Sequence, residues 1–213
     1  MEIKASETNS EFATGAVRGD SKGRGTPHLL PFEALVLVSR CYGGPAFMPF
    51  DGVIEVSKIY EGGCATYPPR NWEKGIPLAR FVDSSQRHLG KYLRGEIDEP
   101  HCGQHAWNLL SLLQTHLWIA AGRLPPELCE LPGIDLTTDL HSVQPFEVLP
   151  GRPLSHYANE SFGMLAAYVT GKGGHCLVTA VANSLSLLHV HTELCENRAP
   201  MELNDLPRVK IVG

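Results

Sequence analysis

The chain has 213 residues, a net charge of −5, a sequence pI near 6.0, 43% hydrophobic residues and 19% charged residues. That length holds one or two domains with a proper core. The acidic balance lacks the basic footprint of a general nucleic-acid binder, so no nucleic-acid partner is expected. A nucleotide substrate stays open, because metal ions offset the repulsion between carboxylates and phosphates. No stretch approaches the run of about 18 apolar residues that a membrane span needs. The six cysteines, Cys41, Cys64, Cys102, Cys129, Cys176 and Cys195, are scattered without a C-x-x-C pair. That suits free thiols in a reducing compartment, and cytoplasm is the expected location.

Residues 1–27 are polar, rich in Gly, Ser and Thr, and carry no apolar signal core; they are predicted as a flexible N-terminal arm. From Pro31 two near copies follow at an offset of 18: PFEALVLVSRCYGG and PFDGVIEVSKIYEGG, with Pro31/Pro49, Phe32/Phe50, Ser39/Ser57, Arg40/Lys58 and Tyr42/Tyr60 in register. Each reads as a short helix closed by glycine, with a strand possible for the first. Cys64 to Pro77 reads as a loop, because Pro68 and Pro69 forbid a continuing helix. Its Arg70, Asn71, Trp72 and Lys74 fit a ligand loop, or equally a polar connector with Trp72 tucked into the core. Leu78 to Arg94 and His101 to Gly122 read as helices, the second with Trp107, Leu110, Leu113, Leu117 and Ala121 at helical spacing.

The second half repeats part of the first. Residues 108–132 align without gaps on 183–207, with 12 of the 25 positions identical, among them Asn108/Asn183, His116/His191, Arg123/Arg198 and Pro125/Pro200. Tyr92-Leu-Arg-Gly95 faces Tyr168-Val-Thr-Gly171. Residues 142–207 are therefore expected to be a shortened, diverged copy of the helical unit. Met164 falls near the position of His88 and Lys172 near that of Glu96, so the copy is expected to be structural and to cover the first.

Asp83 to Asn108 holds the densest chemistry: Arg87, His88, Glu96, Asp98, Glu99, His101, His105 and Asn108 share one segment with its acids at the joint between two helices. Hard cations such as Mg²⁺ and Mn²⁺ want oxygen ligands, and one imidazole suits Mn²⁺. An acidic helix cap before Pro100 explains the same cluster without a metal. His105 reads as an ordinary packed or solvated histidine. There is no G-x-S-x-G, no His-Asp dipeptide, and Gly171-Lys172-Gly173-Gly174 lacks the second glycine and the Ser/Thr of a Walker loop.

As a string, KGRGTPHLLPFEAL, YEGGCATYPPRNWEKGIPLARFVDSSQRHLGKYLRGEIDEPH, AWNLLSLLQTH and GRLPPELCELP resemble the phage and bacterial dATP/dGTP diphosphohydrolase family, a relative of the MazG-like all-α nucleotide pyrophosphohydrolases. The resemblance implies a helical, Mg²⁺- or Mn²⁺-dependent enzyme that cleaves a purine deoxynucleoside triphosphate to the monophosphate and pyrophosphate. It implies Glu61, Glu96, Asp98, Glu99 and His101 as metal-side residues. Arg70, Lys74, Arg87 and His88 would face phosphate, with His88 or a carboxylate taking the water proton. Asn71, Trp72 and Asn108 would shape the nucleotide pocket. The chain departs from the family pattern at Thr66, where a lysine stands, and at Pro100, where an aspartate stands.

The expectation is an all-α, MazG-like helical bundle with a degenerate tandem copy: arm 1–27, catalytic helical domain 28–132, second copy 133–213. Its expected partners are a purine deoxynucleoside triphosphate and further copies of itself in a homo-oligomer, with no membrane. A non-catalytic nucleotide-binding or oligomerisation module is the alternative, and a different metal phosphohydrolase is a third reading.

Overall fold

The computed structural model describes residues 9–142 and 144–196. Its architecture is all-α. Helices α1 (Phe32–Ser39), α2 (Phe50–Gly63), α3 (Leu78–Leu93), α4 (His101–Ala120), α5 (Leu154–Val169) and α6 (Gly174–Glu196) follow a small hairpin of β1 (Asn9–Glu11) and β2 (Val17–Gly19). That hairpin and the turns after it occupy the segment predicted as an arm. The arm is tied down at its end: both oxygens of Glu61 accept backbone N–H groups, from Gly23 at 2.7 Å and Gly25 at 2.8 Å. Gly25 has φ +84°, and a Cβ there would stand 2.0 Å from Ser57 Oγ, so only glycine fits this approach.

Helices α3 with α4 and α5 with α6 form two hairpins, and these are the most extensive helix–helix contacts. α4 is buried on nearly every face, which its sequence allows because leucine recurs all round it. α6 packs on α4 and α2, and α1 packs on both α4 and α6. Among the described residues no helix is long and apolar enough to cross a membrane.

The internal likeness seen in the sequence has a geometric counterpart. α3 and α5 are both 16-residue helices that begin after a proline, at Leu78 and Leu154. Both close with the same hydrogen bonds: Gly95 N to Tyr92 O and Gly171 N to Tyr168 O, each 2.9 Å, then Glu96 N to Lys91 O and Lys172 N to Ala167 O. Both glycines have positive φ. In the second helix of each hairpin, Asn108 donates to Gln104 O and Asn183 to Thr179 O. The short helices follow suit. Tyr60 on α2 bonds Ser111 on α4 at 2.7 Å, and Tyr42, just after α1, bonds Ser186 on α6 at 2.9 Å.

These matches sort the helices into two interleaved units: α2, α3 and α4 in unit one, α1, α5 and α6 in unit two. Contacts between the units come in reciprocal pairs, the pattern of a two-fold interface. Tyr92 of unit one meets His191 of unit two, and Tyr168 of unit two meets His116 of unit one, both as hydrogen-bonded, edge-on rings. Glu33 meets Gln114, and at the matching positions Asp51 meets His189. The matching positions 198, 200, 202 and 207 of the sequence repeat lie outside the described residues.

Candidate functional site

Unit one encloses a cavity of about 890 Å³ between α2, the loop after it, α3 and the start of α4. The loop makes its floor. Arg70 takes a left-handed conformation, φ 62°, and starts a 3₁₀ turn at Asn71–Lys74. That turn drives Trp72 inward, where it stacks parallel on Trp118 at 5.6 Å and meets Tyr60 edge-on at 5.9 Å. Trp107 leans on Tyr60 and Phe81 from the opposite wall. Trp72 is 6% exposed, yet its Nε1–H has no hydrogen-bond partner among the described residues. A buried donor left unpaired costs roughly 1–3 kcal/mol.

The edge of the cavity is formed by His88 and Glu99. Behind them runs a chain of polar contacts. Asp98 Oδ1 accepts from His101 Nε2 at 2.8 Å, and the Nδ1 atoms of His101 and His88 stand 3.0 Å apart. Glu99 Oε2 lies 3.7 Å from His88 Nδ1 and 3.8 Å from His101 Nδ1. The Asp98 bond fixes the proton of His101 on Nε2 and leaves the Nδ1 lone pair facing His88 and Glu99. Burial lowers the His88 pKa, with Glu99 opposing and His101 reinforcing, so the ring is neutral near pH 7. A hydrogen bond from Lys91 and another from His101 hold Asp98 down near pH 2, as a carboxylate.

Two groups of side chains here have ligand atoms close enough to share a cation: His88, Glu99 and His101, and Glu96, Asp98 and His101. Only the first borders the cavity. It offers two imidazole nitrogens and one carboxylate, with a carboxylate already orienting one imidazole, which is the donor chemistry of Mn²⁺ or another borderline ion. In the second group the acids are engaged: Glu96 with Arg94 at 2.7 Å, Asp98 with Lys91 at 2.9 Å.

The other residues singled out from the sequence are spread more widely. Asn71, Trp72 and Arg70 line the cavity, as the ligand-loop reading expected, and Trp72 is also the core residue of the connector reading. Arg70 leans away, bonded to Glu73 and to His28 O at 2.6 Å. Lys74 and Arg87 are exposed and lie outside the cavity lining; Arg87 reaches Ser84 at 3.2 Å. Glu61 is committed to the arm. Asn108 is buried and caps Gln104 O from within α4. His105 is fully buried between Ser85 and Ser161, and burial lowers its pKa to about 4. The lining also includes Tyr67 from the predicted loop, Trp107 from the predicted apolar stripe, and Lys58 and Gln104, which nothing in the sequence singles out.

In unit two the corresponding groove is full. Arg40 donates to His141 O at 2.7 Å, Val148 N donates to Cys41 O at 2.9 Å, and Phe146 N donates to Thr179 Oγ1 at 3.1 Å. Phe146 stands edge-on to His175, and Leu140 fills the space above Gly174. Leu140, His141, Phe146 and Val148 occupy the place that the cavity has in unit one.

Compared with known proteins, the chain finds no match among curated sequences and none among solved structures. The family described as dATP/dGTP diphosphohydrolase, N-terminal, matches residues 14–119, a span that holds α1 to α4 up to Ile119 and every residue of the cavity wall. Over residues 14–119, the chain belongs to the dATP/dGTP diphosphohydrolase N-terminal family.

Proposed function

We propose that the unit-one cavity binds a purine deoxynucleoside triphosphate and hydrolyses it between the α and β phosphates. The observation that carries this reading is the cavity itself: it joins aromatic faces at one wall to a His–Glu–His donor set at its edge, inside the span that matches the family. Its volume suits a nucleotide, since ligand pockets run about 300–1,000 Å³. Half-buried Trp107 in the lining offers a flat apolar face to a base.

His88, Glu99 and His101 are the residues that would hold Mn²⁺ or another borderline divalent ion. Held there, such an ion would supply charge compensation for the leaving pyrophosphate. The chain does the rest. Asp98 orients His101, burial keeps His88 unprotonated and able to ligate, and Glu99 has a second oxygen to receive the proton of the attacking water. Arg70 is the lining arginine; turning from Glu73 and His28 toward the cavity would place it on the triphosphate.

Product analysis tests the reading. The purified chain, incubated with dATP or dGTP and Mn²⁺ or Mg²⁺, is expected to release pyrophosphate and the monophosphate. Orthophosphate instead would mean a different bond is cut. Binding without turnover would leave a nucleotide-binding module.

A further inference from the structure

We propose that Leu140, His141, Phe146 and Val148 are a built-in occupant of the second unit's copy of the cavity, and that their contacts identify Lys58 and Gln104 as nucleotide-contacting residues of the open one. The inference rests on the nucleotide reading above and extends it to two residues outside the His–Glu–His set.

The pseudo-symmetry supplies the map. Tyr60 corresponds to Tyr42 and Ser111 to Ser186, shown by their matching hydrogen bonds. On the same register Lys58 corresponds to Arg40, and Gln104 to Thr179; the latter pair accept the same side-chain bond from Asn108 and Asn183 through their carbonyls. Ile59 and Cys41 also correspond: Ile59 packs over Gly103, and Cys41 contacts Val178 O at the matching place on α6. Lys58, Ile59, Tyr60 and Gln104 all line the open cavity.

In unit two these positions are working contacts. Arg40 Nη1 holds a carbonyl oxygen, the Cys41 carbonyl takes an N–H, and Thr179 Oγ1 takes a second N–H, while it donates its own proton to His175 O. The groove therefore pairs one cationic donor with one neutral hydrogen-bonding side chain across its width. Unit one keeps that pair with the occupant absent. Among the described residues the Lys58 ammonium has only Glu55 beside it, on the same helix. The Gln104 carboxamide makes no hydrogen bond to another described residue, and it stands one turn along α4 from His101. An ammonium where an arginine grips an oxygen fits a phosphate oxygen. A carboxamide, donor and acceptor side by side, fits the uncharged sugar–base part of the ligand.

The test is a titration of the full chain with α,β-methylene dATP and dGTP in Mn²⁺, following tryptophan fluorescence, repeated with the matching monophosphates. Lys58→Met is expected to weaken triphosphate binding about tenfold and monophosphate binding far less, with the gap closing at high salt. Gln104→Leu is expected to weaken both about fivefold alike. Arg40→Met and Thr179→Val, in the filled groove, are expected to lower the melting temperature and leave nucleotide affinity within twofold. Wild-type affinity with unchanged Lys58 and Gln104 variants overturns the inference and leaves the nucleotide reading standing. Arg40 or Thr179 variants that lose affinity as the unit-one variants do also overturn it. No binding of any analogue by the wild-type chain overturns the inference together with the reading beneath it.

Discussion

The two grooves of this molecule have the same frame and opposite contents. Both are walled by a tyrosine bonded to a serine, a basic residue two positions before that tyrosine, and the first turns of a buried helix. In unit one the helix joint carries Glu99 and His101 and faces His88 across an open cavity. In unit two Met164 stands in place of His88, Cys176 in place of His101, and a stretch of the linker fills the space. A duplicated scaffold needs only one chemically equipped groove. The other is free to become packing, provided its walls are covered, and here the chain covers them with its own backbone.

The contrast is broken most directly at the histidine. His88→Ala is expected to lower pyrophosphate release by about 10²-fold or more, since it removes one of three cation donors. Met164→Ala, its counterpart, is expected to leave kcat/KM within twofold. Equal losses from both would contradict the assignment of chemistry to unit one.

Stability is expected to run the other way. Leu140 is 2% exposed against Gly174, and Leu140→Ala is expected to cost about 2–4 kcal/mol in urea unfolding. Tyr67 lines the open cavity while 59% exposed, so Tyr67→Ala is expected to cost little stability and to weaken nucleotide binding.

The two units also differ in the histidines they bury. Burial lowers both His105 and His116 to about 4 from an ordinary 6.5. A histidine held neutral in the fold contributes stability that is complete above pH 6.5. It is lost as the pH falls toward 4, because the unfolded chain takes the proton first. Each is expected to subtract about 2 kcal/mol by pH 5. Unit two has Ala180 at the position of His105, so His105 is a liability of unit one alone. Urea midpoints that stay flat from pH 7 to pH 5 would contradict this.

The smallest effect concerns the reciprocal tyrosines. Tyr168 bonds buried His116 at 2.8 Å, and half-buried Tyr92 bonds His191 at 3.3 Å. Tyr168→Phe is expected to cost about 1–1.5 kcal/mol and Tyr92→Phe less than about 0.5. A reversed order would mean the two junctions are less alike than their register implies.

Much of this was legible from residue order alone. The helical periods, the joint between Gly95 and Pro100, and the offset of 75 were visible because helices impose a regular spacing on apolar residues. The wall formed by Asn71 and Trp72 was legible from loop composition, and so was the crowding of His88, Glu99 and His101 in one segment; that His88, expected to face phosphate, shares a donor group with Glu99 and His101 was not. What the spacing hides is direction. Glu61 looked like a metal ligand, but its position on α2 turns it to the amides of Gly23 and Gly25. Lys74 and Arg87 sit beside the cavity in sequence and outside it in space, because the 3₁₀ turn and the pitch of α3 aim them at solvent. The interleaving of units was hidden for a related reason. α1 packs on α6, and Tyr42 just after it bonds Ser186, more than a hundred residues later, a partnership that no local pattern carries.

One nucleotide-binding groove in a two-fold frame binds one ligand per chain, which a count of bound nucleotide checks. Isothermal titration of the full chain with α,β-methylene dGTP in Mn²⁺ is expected to give one nucleotide per chain, with His88→Ala weakening that single site and Met164→Ala leaving it intact. Two nucleotides per chain, or one that is lost with Met164→Ala and kept with His88→Ala, would contradict it.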